Sequence, residues 1–340
     1  MTTETLIANP QQFNHVLAFE VSKANLHVHI LPGGEAFEIA NERASIRRVI
    51  KKEMRRNGKL GVGPLLVVCE ATGTYSNDVI ACAAGLGVAC HRAHGSRVRA
   101  FAKFRGTHAK SDPIDVALIA DYAIASRNLQ LHEPPRPAQA ELRELVARRT
   151  ELGQAKEAEE TRVEHVTAKI VADSLREHIR ALDKLLAKVE RRIEALMKED
   201  EEFRRKAWLM GSVKGVGPIT AATVLAYLPE IGTVSRGTIA ALAGLAPFDH
   251  DSGESKGQRH IFGGRAEARA GLYMAAMVAM RWNPHLAALA ERIEANGRPF
   301  KVQVTAVMRK LVVILNAVVA SGVPCRMPAA GRGRLCAVAP

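Results

Sequence analysis

Apolar and polar positions follow different periods in successive parts of this chain. Val16–Leu17–Ala18–Phe19 and Leu26–His27–Val28–His29–Ile30 are short runs of strand formers, the second alternating residue by residue, which predicts two strands. Ser22 to Asn25 reads as a tight hairpin connection. Pro32–Gly33–Gly34 reads as a turn leading to a third short strand near Ala36 to Ile39. From Glu42 to Arg56 the period changes to that of a helix, with Ile46, Val49, Ile50 and Met54 on one face. The unbroken run Leu65 to Cys69 is the mark of a strand buried on both sides. Thr74 to Ala84 is then helical, and Val88 to Ala93 is a further strand.

Three hairpin-type strands followed by alternating helix and strand is the ribonuclease-H-like order. Pro134, Pro135 and Pro137 make a stiff linker and end this first domain, residues 1–135. Between Gln154 and Met210 there is neither Gly nor Pro. Within it Leu175, Ile179, Leu182, Leu186, Val189, Ile193 and Leu196 recur at alternating spacings of four and three, a heptad seam. A poorer seam runs through Leu142, Leu145 and Leu152, then Val163, Val166 and Ile170. These positions predict long helices over residues 136–207 that either pair as a hairpin or form a coiled coil with another subunit. Beyond Trp208, Gly215-x-Gly217 between two helical stretches resembles a helix-hairpin-helix element. Glu267 to Arg281 and Val302 to Val319 read as apolar helices. A mostly α domain is expected over 208–322, with a loose basic tail over 323–340.

Charge narrows the class of partner. The 340 residues carry a formal net charge of +13, and the isoelectric point is about 9.8. A polyanion is the expected partner. The five cysteines form no C-x-x-C pair, which fits reduced thiols and argues against zinc. No basic-then-apolar leader and no run of about 18 apolar residues is found, so a cytoplasmic protein without membrane spans is expected.

Candidate chemistry sits in two places. Glu20 ends the first strand and Glu70 the buried strand; Asp112 and Asp115 lie three apart at a helix start and share one face. In a ribonuclease-H-like fold these ends meet at one edge, and four carboxylates there suit two Mg²⁺ ions. Each also has a plainer reading: Asp112 before Pro113 is a good helix N-cap. Val79 to Ser111 contains no acid but holds Arg92, Arg97, Arg99, Lys103, Arg105 and Lys110, a run suited to a phosphate backbone. The second place is the Gly-rich stretch 244–265. There Ser252, followed by Gly253, lies among Lys256, Arg259 and Arg265. A hydroxyl on a flexible turn ringed by cations suits a nucleophile that attacks a phosphate, and the same stretch also reads as a surface turn. Lys214, Gly215 and Gly217 would bring backbone N–H groups to a phosphate. Arg309 and Lys310 add a basic turn near the end.

Together these motifs resemble one family over nearly the whole chain. Glu20–Val21–Ser22–Lys23, Glu70–Ala71–Thr72–Gly73–Thr74–Tyr75 and Lys110–Ser111–Asp112–Pro113–Ile114–Asp115 match three acidic signatures of the DEDD-type bacterial insertion-sequence transposases, the IS110 family. Its C-terminal signature is matched by Gly215-x-Gly217, Ala243 to Pro247, Ser252–Gly253 and Gly263–Gly264–Arg265. Tyr273 to Ala276, Asn283–Pro284 and Met308 to Leu311 match as well. The resemblance implies a RuvC-like domain joined by a coiled coil to a serine-bearing domain. It implies a recombinase that acts on donor and target DNA with a structured bridge RNA, assembled as a dimer or tetramer. It assigns Mg²⁺ to Glu20, Glu70, Asp112 and Asp115, and a covalent phosphoserine link to Ser252. Two positions depart from the pattern: Glu20 stands where Asp is usual, and Ala18 where Gly is usual. Two other classes share parts of the pattern. A metal-dependent junction nuclease would need only the first domain, and a decayed relative would bind nucleic acid without chemistry.

Overall fold

The computed structural model describes residues 7–8, 13–60, 63–71, 73, 75–107, 112–126, 129–132, 134–248, 251–252, 255–256 and 260–325. They belong to two compact units, Glu4–Pro135 and a second one that begins at Arg136.

The first unit runs β1 (Ile7–Ala8), β2 (His15–Val21), β3 (Asn25–Leu31), β4 (Glu35–Ala40), α1 (Arg43–Leu60), β5 (Leu65–Glu70), α2 (Asn77–Ala84), β6 (Ala89–Ala93), α3 (Gly95–Phe104), α4 (Asp112–Ala125) and β7 (Leu129–Gln130). Five strands form one sheet in the order β4-β3-β2-β5-β6. The β4-β3-β2 part is antiparallel, and β2-β5-β6 is parallel. β1 and β7 make a separate antiparallel pair. Side-chain alternation divides the sheet cleanly. Leu17, Phe19, Val67 and Cys69 pack with Ile46, Ile50, Val79 and Ile80 of α1 and α2. Val16, Ala18, Leu66 and Val68 pack with Val98 of α3 and Val116, Ile119 and Ala120 of α4. The result is a three-layer α/β/α unit, and its strand order is compatible with a ribonuclease-H-like fold.

Three details differ from the pattern-based expectation. Helix α3 was not anticipated; His94 caps it by accepting from the Ser96 amide. Helix α2 begins at Asn77, later than expected. On α1 the inward position is Glu53 and not Met54: Glu53 is fully buried and Met54 is 38% exposed. The cause is His15, whose Nε2 lies 3.1 Å from Glu53 Oε2 and whose Nδ1 lies 3.0 Å from Asn57 Oδ1.

Among the described residues the second unit is helical apart from one arm. Helices α5 (Pro137–His165) and α6 (Lys169–Glu199) run antiparallel. The ion pairs that join them fix the direction: Arg192 with Glu141, Arg149 with Glu190 and Lys156 with Asp183. Of the two arrangements left open, the chain thus forms a hairpin with itself. Its base shares one core with the rest of the unit, through Leu142, Val146, Ile193 and Leu196. Toward the tip the apolar contact thins: Glu159 is buried in the seam and Ile170 is 81% exposed.

Beyond the hairpin lie α7 (Glu201–Gly211), α8 (Pro218–Tyr227), α9 (Arg236–Leu242), four two-residue strands β8 (Pro247–Phe248), β9 (Asp251–Ser252), β10 (Ser255–Lys256) and β11 (His260–Ile261), then α10 (Ala266–Trp282), α11 (Pro284–Ala295) and α12 (Phe300–Ser321). Helix α12 is long and apolar enough to cross a membrane by length and composition. Here it is a core helix: Val304, Val307, Leu311, Val312 and Leu315 are buried, and the helix packs against α7, α9, α10 and α11. Asn316 on the same helix is buried and donates to the Val234 carbonyl at 2.8 Å. It also accepts from the Gly232 amide at 2.8 Å.

Candidate active site

The acidic edge follows from strand register. β2 and β5 are parallel neighbours with Phe19 opposite Cys69. Glu20 and Glu70, one residue further on, therefore stand at the same level on adjacent strands. Both continue the alternation of Ala18 and Val68, so both point to the face that α3 and α4 cover. Asp115 is half-buried in the first turns of α4, next to fully buried Val116. Asp112 opens the same helix, but its side chain lies outside the described residues. Among the described residues no three such groups come together as a metal-ligand set. What the edge offers a divalent ion is hard oxygen chemistry, and Gly95 leaves room for the Glu70 carboxylate itself. A Cβ on Gly95 would lie 2.2 Å from Glu70 Oε1, so the carboxylate occupies space that only glycine leaves open. These residues fit an Mg²⁺-type ion.

Sequence reasoning missed His27 and His29. In the β2–β3 register Glu20 is paired with His27 and Ala18 with His29. Both imidazoles therefore lie on the carboxylate face. The alternation Leu26, Val28, Ile30 against His27, His29 was the available signal.

The basic run is divided by the structure. Arg97, Arg99 and Lys103 are exposed on α3, as is Phe104 beside them. Arg92 donates to the Gly73 carbonyl at 3.2 Å. Arg105 is ion-paired with Asp121 of α4 and lies 5.8 Å from the centroid of the Phe101 ring. Lys110 lies outside the described residues.

Ser252 sits on an arm. Phe248 pairs with His260 and Pro247 with Ile261; Ser252 pairs with Ser255 and Asp251 with Lys256. The serine is thus the last paired residue before a two-residue connection, where the sequence reading had only a Gly-rich loop. Nothing of the Ser252 and Lys256 side chains is described, and Arg259 lies outside the described residues.

The root of the arm is built closely. Helix α9 ends with Gly244 in the left-handed region at φ +66°. There the Leu245 amide donates to Ala240 O at 2.8 Å and the Gly244 amide to Ala241 O at 2.9 Å, the Schellman pattern. The returning strand crosses this turn in backbone contact. A Cβ on Gly264 would meet the Gly244 nitrogen at 2.1 Å, and one on Gly244 would meet the Gly263 oxygen at 2.3 Å. The Arg265 amide then donates to Leu242 O at 2.8 Å.

Arg265 itself departs from the expectation of a free phosphate-binding cation. Its Nη1 donates to Glu230 Oε2 at 2.6 Å, and its Nη2 donates to Glu230 Oε1 at 2.5 Å. Nη1 also reaches the Tyr227 carbonyl at 2.7 Å. Burial pushes the Glu230 carboxyl up, but the hydrogen bond and charge of Arg265 outweigh it and hold it below its ordinary value. Arg265 therefore clasps the arm to the end of α8. Gly215 is likewise committed to packing: at φ +100°, a Cβ there would meet Ala279 of α10 at 2.7 Å. Gly217 has open space where a Cβ would stand, and Lys214 and Arg309 are exposed, with Lys310 half-buried.

Two family profiles match separate stretches of this chain. A profile described as Transposase IS116/IS110/IS902 family matches residues 207–291. A DEDD transposase profile of the IS110 group matches residues 20–171. The pilin gene-inverting proteins of Moraxella bovis and Moraxella lacunata are each 28% identical over 264 residues, 76% of this chain and 81% of theirs. The chain belongs to the IS110-type family of DEDD transposases, enzymes of DNA recombination.

Proposed function

We propose that this transposase is RNA-guided and cuts and rejoins DNA through a covalent link to Ser252. The observation that carries the reading is the division of labour between two separate elements. One is an edge with Glu20 and Glu70 at equal level; the other is an anchored arm with Ser252 at its end. In the proposed reaction the Ser252 hydroxyl gives up its proton and Oγ bonds to a DNA phosphorus. One phosphorus–oxygen bond to a sugar breaks, and that sugar oxygen takes up a proton. The phosphoserine conserves the bond energy, so reversal onto a new sugar hydroxyl joins strands. Glu20, Glu70, Asp112 and Asp115 would hold Mg²⁺, which when bound would supply positive charge to a phosphate oxygen.

Arg97, Arg99 and Lys103 of α3, with Lys214 and Arg309, track phosphates of donor DNA, target DNA and a structured guide RNA. The net charge of +13 supports this polyanion load. The protein acts as a homo-oligomer, a dimer or tetramer, in the bacterial cytoplasm. The name of the Moraxella relatives adds inversion of a DNA segment to the reactions this chemistry serves.

The test is to trap the protein–DNA adduct with Mg²⁺ and RNA transcribed from the flanks of the gene, and to map it by peptide mass. An adduct on Ser252 that is lost in Ser252→Ala and kept in Ser255→Ala is expected. An adduct on Ser255, its register partner, would sink the assignment.

A further inference from the structure

Glu70 is held from below by its backbone: directly after it, the Ala71 amide donates to Ala93 O at 2.9 Å. Its side chain then runs against the first residue of α3. An ideal Cβ at Gly95 would lie 2.2 Å from Glu70 Oε1, 3.4 Å from Glu70 Cδ and 3.7 Å from Arg99 Nη2. Ordinary contact begins at 3.4 Å, so a methyl group there would drive the carboxylate back by about 1.2 Å, the difference between 3.4 and 2.2. Gly95 is not among the glycines of positive φ. Its backbone is one that any residue can adopt, and it makes no turn that demands glycine.

We infer that Gly95 is a positioning residue for the acidic site, its missing side chain being what lets the Glu70 carboxylate stand beside α3 at the level of Glu20. The inference rests on the proposed metal-binding role of these carboxylates. The obstructed atom is the far end of a flexible side chain, so an added methyl displaces the carboxylate and leaves the fold in place. A divalent ion of the Mg²⁺ type keeps its oxygens at about 2.0–2.1 Å and tolerates such a displacement poorly.

The experiment uses Mn²⁺ as the probe, titrated into the full-length protein and followed by calorimetry and by the loss of the free-ion paramagnetic signal. Gly95→Ala is expected to weaken Mn²⁺ binding by about tenfold or more while the thermal midpoint stays within about 2 °C. The decisive variant is Gly95→Ala combined with Glu70→Asp. Aspartate is shorter by one methylene, about 1.5 Å, more than the required retreat, so the pair should bind Mn²⁺ better than Gly95→Ala alone. Two results would overturn the inference by itself: Gly95→Ala binding Mn²⁺ as wild type does, or the double variant binding no better than the single. A wild-type protein that binds Mn²⁺ no better than Glu70→Ala would remove the acidic-site reading, and the inference with it.

Discussion

Removing one charge at the root of the serine arm gives the sharpest test of how that arm is held. Glu230→Gln keeps the size and shape of the side chain but leaves the Arg265 guanidinium without its anion. The two carboxylate contacts are 2.5 and 2.6 Å, and the side chains are 35% (Arg265) and 24% (Glu230) exposed. Breaking a fully buried pair costs about 3–5 kcal/mol and an exposed one at most about 1. At this intermediate burial, with solvent screening part of the charge, about 2 kcal/mol is expected. The sign of the pH dependence follows from the lowered Glu230 carboxyl. A depressed carboxyl stabilises the fold above its unfolded-state value and loses that contribution as pH falls through the folded-state value. The clasp is therefore intact at pH 7, and it weakens as pH falls below the ordinary value of 4.5. Urea denaturation of full-length wild type and Glu230→Gln, with amide exchange read over residues 228–245, would measure it. The expected difference is about 2 kcal/mol at pH 7, shrinking toward zero in acid. A difference below about 0.5 kcal/mol at pH 7, or one undiminished in acid, would refute the clasp.

Other expectations follow from the same coordinates. Gly244→Ala or Gly264→Ala places a methyl group against backbone and should cost about 3 kcal/mol or more, or prevent soluble expression. Gly217→Ala should leave the thermal midpoint within about 2 °C of wild type, because nothing lies within 4 Å of its Cβ position. Asn316→Leu leaves the Gly232 amide and Val234 carbonyl without partners. Each such buried group costs about 1–3 kcal/mol, so a fall of about 2–6 kcal/mol by urea denaturation is expected. Neutralising Arg97 and Arg99 together should lower affinity for any nucleic acid and reduce the slope of log K against log salt by about 2. An unchanged slope would show that this face of α3 does not meet phosphates.

Much of the fold was legible because burial imposes a period. Strands β2, β3 and β5 and helix α1 declare themselves through Val16 to Phe19, the alternation Leu26-Val28-Ile30, the unbroken Leu65 to Cys69, and Ile46-Val49-Ile50. The period fails where a polar residue takes a core position. Glu53 and Met54 both lie three or four residues beyond Ile50, and only His15, on a distant strand, decides which one turns inward. Glu159 in the helical hairpin is the same case: it meets His178 and Arg162. Helix α3 escaped notice because it buries little, with Val98 its one fully covered residue among those described.

The acidic edge was legible for a different reason. A carboxylate that ends an apolar run stands out, and strand order brings such ends together without any knowledge of side-chain contacts. The roles of the cations and glycines were less so, because one residue type serves two purposes. Arg265 and Lys214 look alike in the sequence as bases beside a glycine. The difference is Glu230, which lies 35 positions from Arg265 and is invisible to any local pattern. Gly215 and Gly217 form one motif, yet Ala279 presses on the first and nothing on the second. Gly217, with Lys214 exposed beside it, keeps open space at its Cβ position. The glycines at 215, 244 and 264 instead let two stretches of protein touch. Local sequence thus nominates the candidate residues, and distant partners decide which of them are already engaged within the protein.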